Sequence, residues 1–354
     1  MRFSDFDQRL ATFGARPVHR GRVARVWLDG KPLDTGTRRR QAEDFLPLSL
    51  RDALPALTAE LDGLARVRAE HTGHDGSRLL VELADGQMVE SVLLPRDGLC
   101  VSTQVGCAVG CRFCMTGKSG LIRQVSSMEI LAQVVLARRQ RPVKKVVFMG
   151  MGEPAHNLEN VLEAIDLLGT EGNIGHKNLV FSTVGDPRVF DALPRQRVKP
   201  ALALSLHTTK AELREHLLPR APKIAPEDLV EMGEQYARDS GYPIQYQWTL
   251  LKGVNDGNDE LDAVLRLLKG KYCVLNVIPF NTLEGGGYER PEPDRIREIV
   301  SYVHSRGVLV KVRNSAGQDV DAGCGQLRAR AVGSEQVVQL RRTRSATAGA
   351  AQAR

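Results

Sequence analysis

The chain has 354 residues, 42% of them hydrophobic and 26% charged, the balance of a soluble globular protein with room for one large core and an appendage. No run of about 18 apolar residues occurs, and the opening MRFSDFDQRLATF lacks the apolar stretch of a secretory leader, so neither a membrane span nor export is expected. The formal charge of +7 suits a polyanionic partner, and six cysteines with three packed together speak against a disulfide framework and for a reduced, cytoplasmic setting.

Residues 1–88 open with charged helical text and run into a hairpin, SRLLVELADGQMVESVLLP, and are read as a small accessory domain. Its basic cluster, RPVHRGRVARVWLDGK followed by TRRRQ, interleaves Val23, Val26 and Trp27 with cations and is expected to contact RNA. Residues 89–330 alternate short apolar runs (LCVSTQ, KKVVFMGM, KNLVFSTV, PALALSLH, IQYQWTLL, CVLNVIPF, VLVKVRNS) with helix-like segments such as SMEILAQVVLARRQ, NLENVLEAIDLLG and APEDLVEMGEQYARD. Such alternation predicts βαβ units and a parallel sheet, either doubly wound or closed into part of a barrel. Nearly every strand ends in polar or glycine-rich text (GMGEP, STVGD, SLHTT, LLKGVND, PFNTLEGG), which favours a partial (β/α)6 barrel with its site at the carboxyl ends of the strands. No internal repeat is present, and residues 331–354 read as a basic, disordered tail.

The chemistry gathers in LCVSTQVGCAVGCRFC, where Cys107, Cys111 and Cys114 stand at CxxxCxxC spacing with Cys100 just upstream. Three readings are open: a zinc site, a redox trio or an iron–sulfur site. A structural zinc site takes four ligands, commonly from two CxxC knuckles, and no second knuckle is present. A cubane iron–sulfur cluster usually takes four cysteines, so three would leave one iron with an open position, as a catalytic metal site requires.

CxxxCxxC in a loop after the first strand of a βα array resembles the signature of the radical S-adenosylmethionine (SAM) superfamily, and GMGEP after the next strand resembles that superfamily's contact for the SAM amino group. The resemblance implies the radical SAM partial barrel and one 4Fe–4S cluster held by Cys107, Cys111 and Cys114. It also implies SAM on the free iron and an electron donor such as flavodoxin or ferredoxin. The ordered motifs VFMGMGEP, STVG, SLH, GVND, IPFN and DAGCGQL, from about Glu90 to Leu327, further resemble the RlmN/Cfr family of RNA adenine methyltransferases. Carried over residue by residue, this implies SAM contacts at Gly152, Glu153, Ser182, Ser205, Leu206, His207 and Asn281.

An adenine ring carbon cannot attack the SAM methyl group as an amine or thiolate can, whereas a cysteine thiolate can. The family resemblance implies that Cys324 is methylated by one SAM. A radical from a second SAM then activates that methyl group for addition to the ring. Cys100 matches the resolving thiol, which would form a transient disulfide with Cys324. Glu90 matches a proton acceptor, a task the Cys100 thiolate could also perform. The implied substrate is an adenosine of 23S rRNA and/or tRNA at carbon 2; carbon 8 of the same base is the alternative. Two rival readings are a radical SAM enzyme acting on a non-RNA substrate and a non-enzymatic iron–sulfur sensor or RNA-binding module. The chain departs from the family's text at Met115 and in VRNSAGQDVDAGCGQ, which is less basic than usual. Cys273 reads as a strand-core residue, and a monomer is expected.

Overall fold

The computed structural model describes residues 1–36, 41–74, 76–118, 120–281, 287–313 and 325–331. Helices α1 (Phe3–Thr12), α2 (Pro17–Leu28) and α3 (Leu48–Asp62) come first, followed by strands β1 (Ala65–Gly73), β2 (Gly76–Leu83), β3 (Met88–Leu94), β4 (Gly98–Cys100) and β5 (Gln104–Gly106). After α4 (Met115–Lys118) and β6 (Leu121–Gln124), strands and helices alternate through α5 (Ser127–Gln140), β7 (Lys145–Phe148), α6 (Leu158–Thr170), β8 (Leu179–Thr183), α7 (Pro187–Ala192) and β9 (Ala201–Ser205). The alternation continues with α8 (Ala211–Leu217), α9 (Pro226–Ser240), β10 (Ile244–Leu250), α10 (Asn258–Leu268), β11 (Cys273–Pro279), α11 (Pro293–Ser305) and β12 (Val310–Val312).

Ten strands join in one sheet in the order β1-β2-β3-β4-β7-β8-β9-β10-β11-β12, while β5 and β6 form a separate ribbon. Strands β1 to β4 pair antiparallel, and from β4 onward every pairing is parallel. The parallel strands follow chain order without reversal, whereas a doubly wound sheet reverses at its switch point. Monotonic order lays the crossover helices on one face and lets the sheet curl around the other, so the architecture is a partial barrel. Alternation along each strand separates the two faces. Phe148, Phe181, Leu204, Trp248 and Val277 join the large outer core against the helices. Val147, Val180, Ala201, Ala203 and Cys100 form a small inner cluster with Val92 of β3. The alanines on β9 keep the interior from filling.

The hairpin assigned to an accessory domain continues the barrel sheet: β3 pairs with β4, with Val92 opposite Cys100. Phe6, Leu10, Trp27 and Leu50 from α1–α3 belong to the same core cluster as Met128 and Ile130 of α5. The Glu163 carboxylate on α6 accepts the first backbone N–H groups of α1, from Phe3 and Ser4, both at 3.0 Å. Arg138 of α5 donates to the carbonyl of Leu28 at the end of α2. The boundary drawn at residue 88 therefore falls inside a continuous sheet and core. Local pattern reveals a hairpin but not the strand it will pair with.

Two further expectations change. LCVSTQ divides, because β4 ends at Cys100 and the chain crosses to the β5–β6 ribbon, stitched on the way by Val101 N donating to Val147 O (3.0 Å) and Thr103 N to Met151 O (2.9 Å). The basic N-terminal cluster is in part tied down within the chain. Val23, Val26 and Trp27 are buried, Arg20 pairs with Asp7 at 2.9 Å, Arg25 pairs with Glu171 at 2.7 Å, and Arg22 donates to the carbonyls of Thr35 and Gly36. The interleaved apolar residues stand at helical spacing and make a core face, so any contact with RNA there would fall to the exposed cations. Residues 37–40 of TRRRQ and the tail from residue 332 lie outside the described residues. Among the described residues no helix is long and apolar enough to cross a membrane.

Candidate active site

The cysteine loop leaves β5 through Gly106, whose φ of +81° only glycine adopts readily. A Cβ at Gly106 would stand 1.9 Å from the carbonyl oxygen of Gly120, the same oxygen that accepts from Cys107 N at 2.9 Å. Further along, Arg112 N donates to Leu217 O (3.0 Å) and the Arg220 guanidinium to Ala108 O (2.8 Å), fastening the loop to the segment after α8. Held in this way, Cys107, Cys111 and Cys114 line one cavity of about 280 Å³. Its other walls are the carboxyl ends of the barrel strands: Met149 and Gly150 after β7, Ser182 on β8, Ser205 closing β9, Gln247 and Thr249 on β10, and Ile278 and Pro279 closing β11.

Electrostatics make the three thiols an unusual group. Burial pushes Cys107 up to about 12. Burial, and then the neighbouring Cys114 and Cys107, push Cys111 well above the ordinary thiol value. Thiols so placed resist ionisation until a cationic centre joins them. Among the described residues no group of three His, Cys, Asp or Glu side chains converges on a single ion. A cubane cluster asks for something else, one thiolate on each of three irons, and three cysteines spread around a cavity fit that demand better than a zinc site. A buried cation stands beside them. Arg214 of α8 is 3% exposed and donates to the carbonyls of Val184 and Ser205 (3.2 Å to Ser205).

Next to the cysteines lies Glu153, 4% exposed and without an ion pair among the described residues. Its carboxylate accepts from Ala155 N (3.1 Å) and Val184 N (3.0 Å), and burial raises it to about 7. Such a group suits an incoming ammonium. Gly152, with φ of +107°, must be glycine because a Cβ there would lie 2.6 Å from the Gln104 side chain, which itself accepts from Glu153 N at 2.8 Å. His207 has the rare non-glycine φ of +63° and is buried to a pKa of about 3, so its ring is neutral. Its Nδ1 accepts from Thr249 N at 3.0 Å, which leaves the ring proton on Nε2, and Phe113 meets the ring edge-on at 4.9 Å.

The structure thus brings Cys107, Cys111, Cys114, Gly152, Glu153, Ser182, Ser205, His207 and Asn281 around one cavity. Leu206 is not among its walls: the side chain packs in the outer core and the backbone N–H donates to Gln247 O at 3.1 Å. Cys100 lies in the barrel interior with Val147 and Val180, outside the lining of this cavity. Glu90 is buried on β3, paired with Arg78 at 3.5 Å and accepting from Arg328 N at 2.9 Å. Cys324 lies outside the described residues. Its successor Gly325 (φ +90°) sits so close to the cavity-lining Thr116 that a Cβ would come within 2.6 Å of the hydroxyl. Cys273 is buried in the outer core, as a strand residue should be. Gln104, Gln247, Thr249 and Arg214 were not singled out by the sequence. A glutamine or threonine on a strand and an arginine in AELREHL carry no local mark of burial at a site.

Residues 101–268 match the Radical SAM superfamily. A Bordetella avium protein named "Probable RNA methyltransferase" is 86% identical over 342 residues, which is 97% of each chain. A protein of the same name from Stutzerimonas stutzeri is 73% identical over 345 residues, 97% of this chain and 100% of that one. Among solved structures, a radical SAM methyltransferase from Sphaerobacter thermophilus superposes with a TM-score of 0.77 at 31% identity, covering 92% of this chain and 97% of that one. The likeness to these proteins spans nearly the whole chain. The chain belongs to the radical SAM superfamily and, within it, to the family of these probable RNA methyltransferases.

Proposed function

We propose that the chain is a radical SAM RNA methyltransferase that places a methyl group on an sp2 ring carbon of adenosine, carbon 2 by preference, in 23S rRNA and/or tRNA, through a methyl-cysteine at Cys324 and two SAM molecules. The observation that carries this reading is the single cavity in which three thiols face a buried carboxylate at the carboxyl ends of the barrel strands. Bound there, a 4Fe–4S cluster and SAM would supply the methyl group and the radical. Cys107, Cys111 and Cys114 would hold the cluster, and Glu153 would accept from the SAM ammonium. Ser182, Ser205 and Asn281 offer hydroxyl and amide groups to the rest of the cofactor, while neutral His207 presents an N–H.

One contact and one placement support the roles of the second thiol pair. Glu90 receives the N–H of Arg328, four residues beyond Cys324, and so ties the stretch that follows that cysteine to the sheet. Cys100, inside the same barrel, would break the carbon–sulfur bond and release the product. The proton of the ring carbon would pass to Glu90 or to the Cys100 thiolate. Mass spectrometry of rRNA and tRNA nucleosides from cells with and without the gene names the RNA and the ring position. With that RNA in hand, Cys100→Ala is expected to accumulate protein covalently joined to RNA, seen as a band that ribonuclease removes. Release of methylated RNA by this variant at the parental rate would take the resolving role from Cys100.

A further inference from the structure

At the opposite, amino-terminal end of the barrel lies a second cavity, of about 620 Å³. It opens across the seam of the incomplete barrel, between the start of β4 and β7 on one side and the edge strand β12 on the other. Four cations stand in its wall: Arg96 from the β3–β4 turn, Lys145 at the start of β7, and Lys311 and Arg313 at β12. Among the described residues no carboxylate lines it and none of the four forms an ion pair. The contrast with the N-terminal cluster is sharp, since Arg20 and Arg25 there are each matched by an acid.

Three features mark the cavity as built rather than incidental. Asn276 of β11 lines it at 3% exposure, and its buried Nδ2 amide has no hydrogen-bond partner among the described residues. Arg96 and Asp97 are consecutive non-glycine residues at φ of +56° and +58°, a conformation side-chain-bearing residues avoid, and the strained turn sets Arg96 in the wall. Lys145 is half-buried, and burial together with Arg313, Arg96 and Lys311 lowers its pKa. Cations crowded together, with a spare buried N–H donor, are complementary to a multiply charged anion with several acceptor oxygens.

We propose that this seam cavity is a phosphate-binding site, filled by a backbone phosphate of a nucleic-acid strand or by a small phosphate compound. It is separate from the cysteine cavity: the inner cluster of Val147, Val180, Ala201 and Ala203 lies between the two. Its ligand therefore docks outside the cysteine cavity, on the far side of the cluster that also holds Cys100, whose thiol lies within electrostatic reach of Arg313, and the site stands whether or not the functional reading above holds.

Calorimetric titration of the full chain, cluster loaded, with inorganic pyrophosphate tests the site. Binding at one equivalent is expected, weakened about tenfold by Lys145→Gln and by Lys311→Gln as each charge-assisted contact is lost, and largely restored by Lys145→Arg. In parallel, the affinity of a structured RNA is followed against salt. If a strand phosphate fills the cavity, the slope of log affinity against log salt falls by about 0.7–0.9 for each cation removed. If a small compound does, pyrophosphate binding responds to the substitutions and the RNA slope does not. Melting temperatures matching the parent show that the variants are folded. Pyrophosphate binding that no substitution weakens, or none at all, together with an unchanged RNA slope, overturns the proposal. Methyl transfer is scored separately, so a chain that binds pyrophosphate but methylates no RNA sinks the functional reading and leaves the site in place.

Discussion

Glu153 shows how one residue can couple ligand binding to pH. Burial, opposed only in part by the N–H groups of Ala155 and Val184, holds its carboxyl at about 7, against an ordinary 4.5. A folded-state value raised in this way contributes stability that is fully present below the ordinary carboxylate range and is lost as pH rises through about 7. The ionised form that the empty fold disfavours is the one an ammonium requires. SAM affinity, measured by equilibrium dialysis on the cluster-loaded chain, is therefore expected to rise between pH 6 and pH 8 and then level off. Glu153→Gln should weaken SAM by about 1.5–3 kcal/mol, the scale of a charge-assisted hydrogen bond, and should flatten that rise. A variant that keeps the parental slope would remove Glu153 from the amino contact. The sequence announces this glutamate through GMGEP, yet it cannot say which residues of SLH face inward. Ser205 closes β9 facing the cavity, Leu206 packs in the outer core, and the left-handed backbone at His207 brings its ring back to the cavity wall, a turn that local text does not encode. Arg214 escapes a sequence reading for a related reason: nothing in AELREHL distinguishes an arginine that donates to strand-end carbonyls from one in solvent.

At the scale of the element, the cysteine loop depends on two glycines that do different work. Both Gly106 and Gly120 have positive φ, but only Gly106 is also crowded. Its Cβ would collide with the Gly120 carbonyl, whereas a Cβ at Gly120 meets nothing within 4 Å. Gly120→Ala should therefore cost only the left-handed backbone, about 1–2 kcal/mol, and leave the loop in place. Gly106→Ala must push apart the β5–β6 ribbon and break the bond from Cys107 N to Gly120 O. Iron bound per chain after anaerobic reconstitution should fall to well under half of the parental amount in Gly106→Ala and stay near it in Gly120→Ala. Equal iron in both variants would mean that the ribbon does not set the position of Cys107. The ribbon itself was hidden in the sequence because LIRQ is short and Leu121 and Ile122 are exposed, so neither alternation nor burial marks it as a strand.

At the scale of the whole molecule, the parallel half of the fold is the more legible, since each strand there is bounded by its own polar end and followed by a helix. The antiparallel half is legible only locally: SRLLVELADGQMVESVLLP declares a hairpin, while its union with β4 rests on contacts that no local text encodes. The boundary at residue 88 is also crossed by a buried ion pair, Arg78 with Glu90, set across β2 and β3 where the segment after Cys324 docks. Removing one partner would strand a buried charge, a loss of about 3–5 kcal/mol. One sheet, one outer core and such cross-ties imply that residues 1–88 and the barrel unfold together. Differential scanning calorimetry of the full chain should then give a single transition whose calorimetric and van't Hoff enthalpies agree. A chain beginning at residue 89 would expose the α5 face that α1–α3 cover and leave β3 without its partner β2, so it should fail to give a cooperative melt. Two resolved transitions, or a cooperative melt from the shortened chain, would instead make the N-terminal part an independent domain joined at a sheet edge.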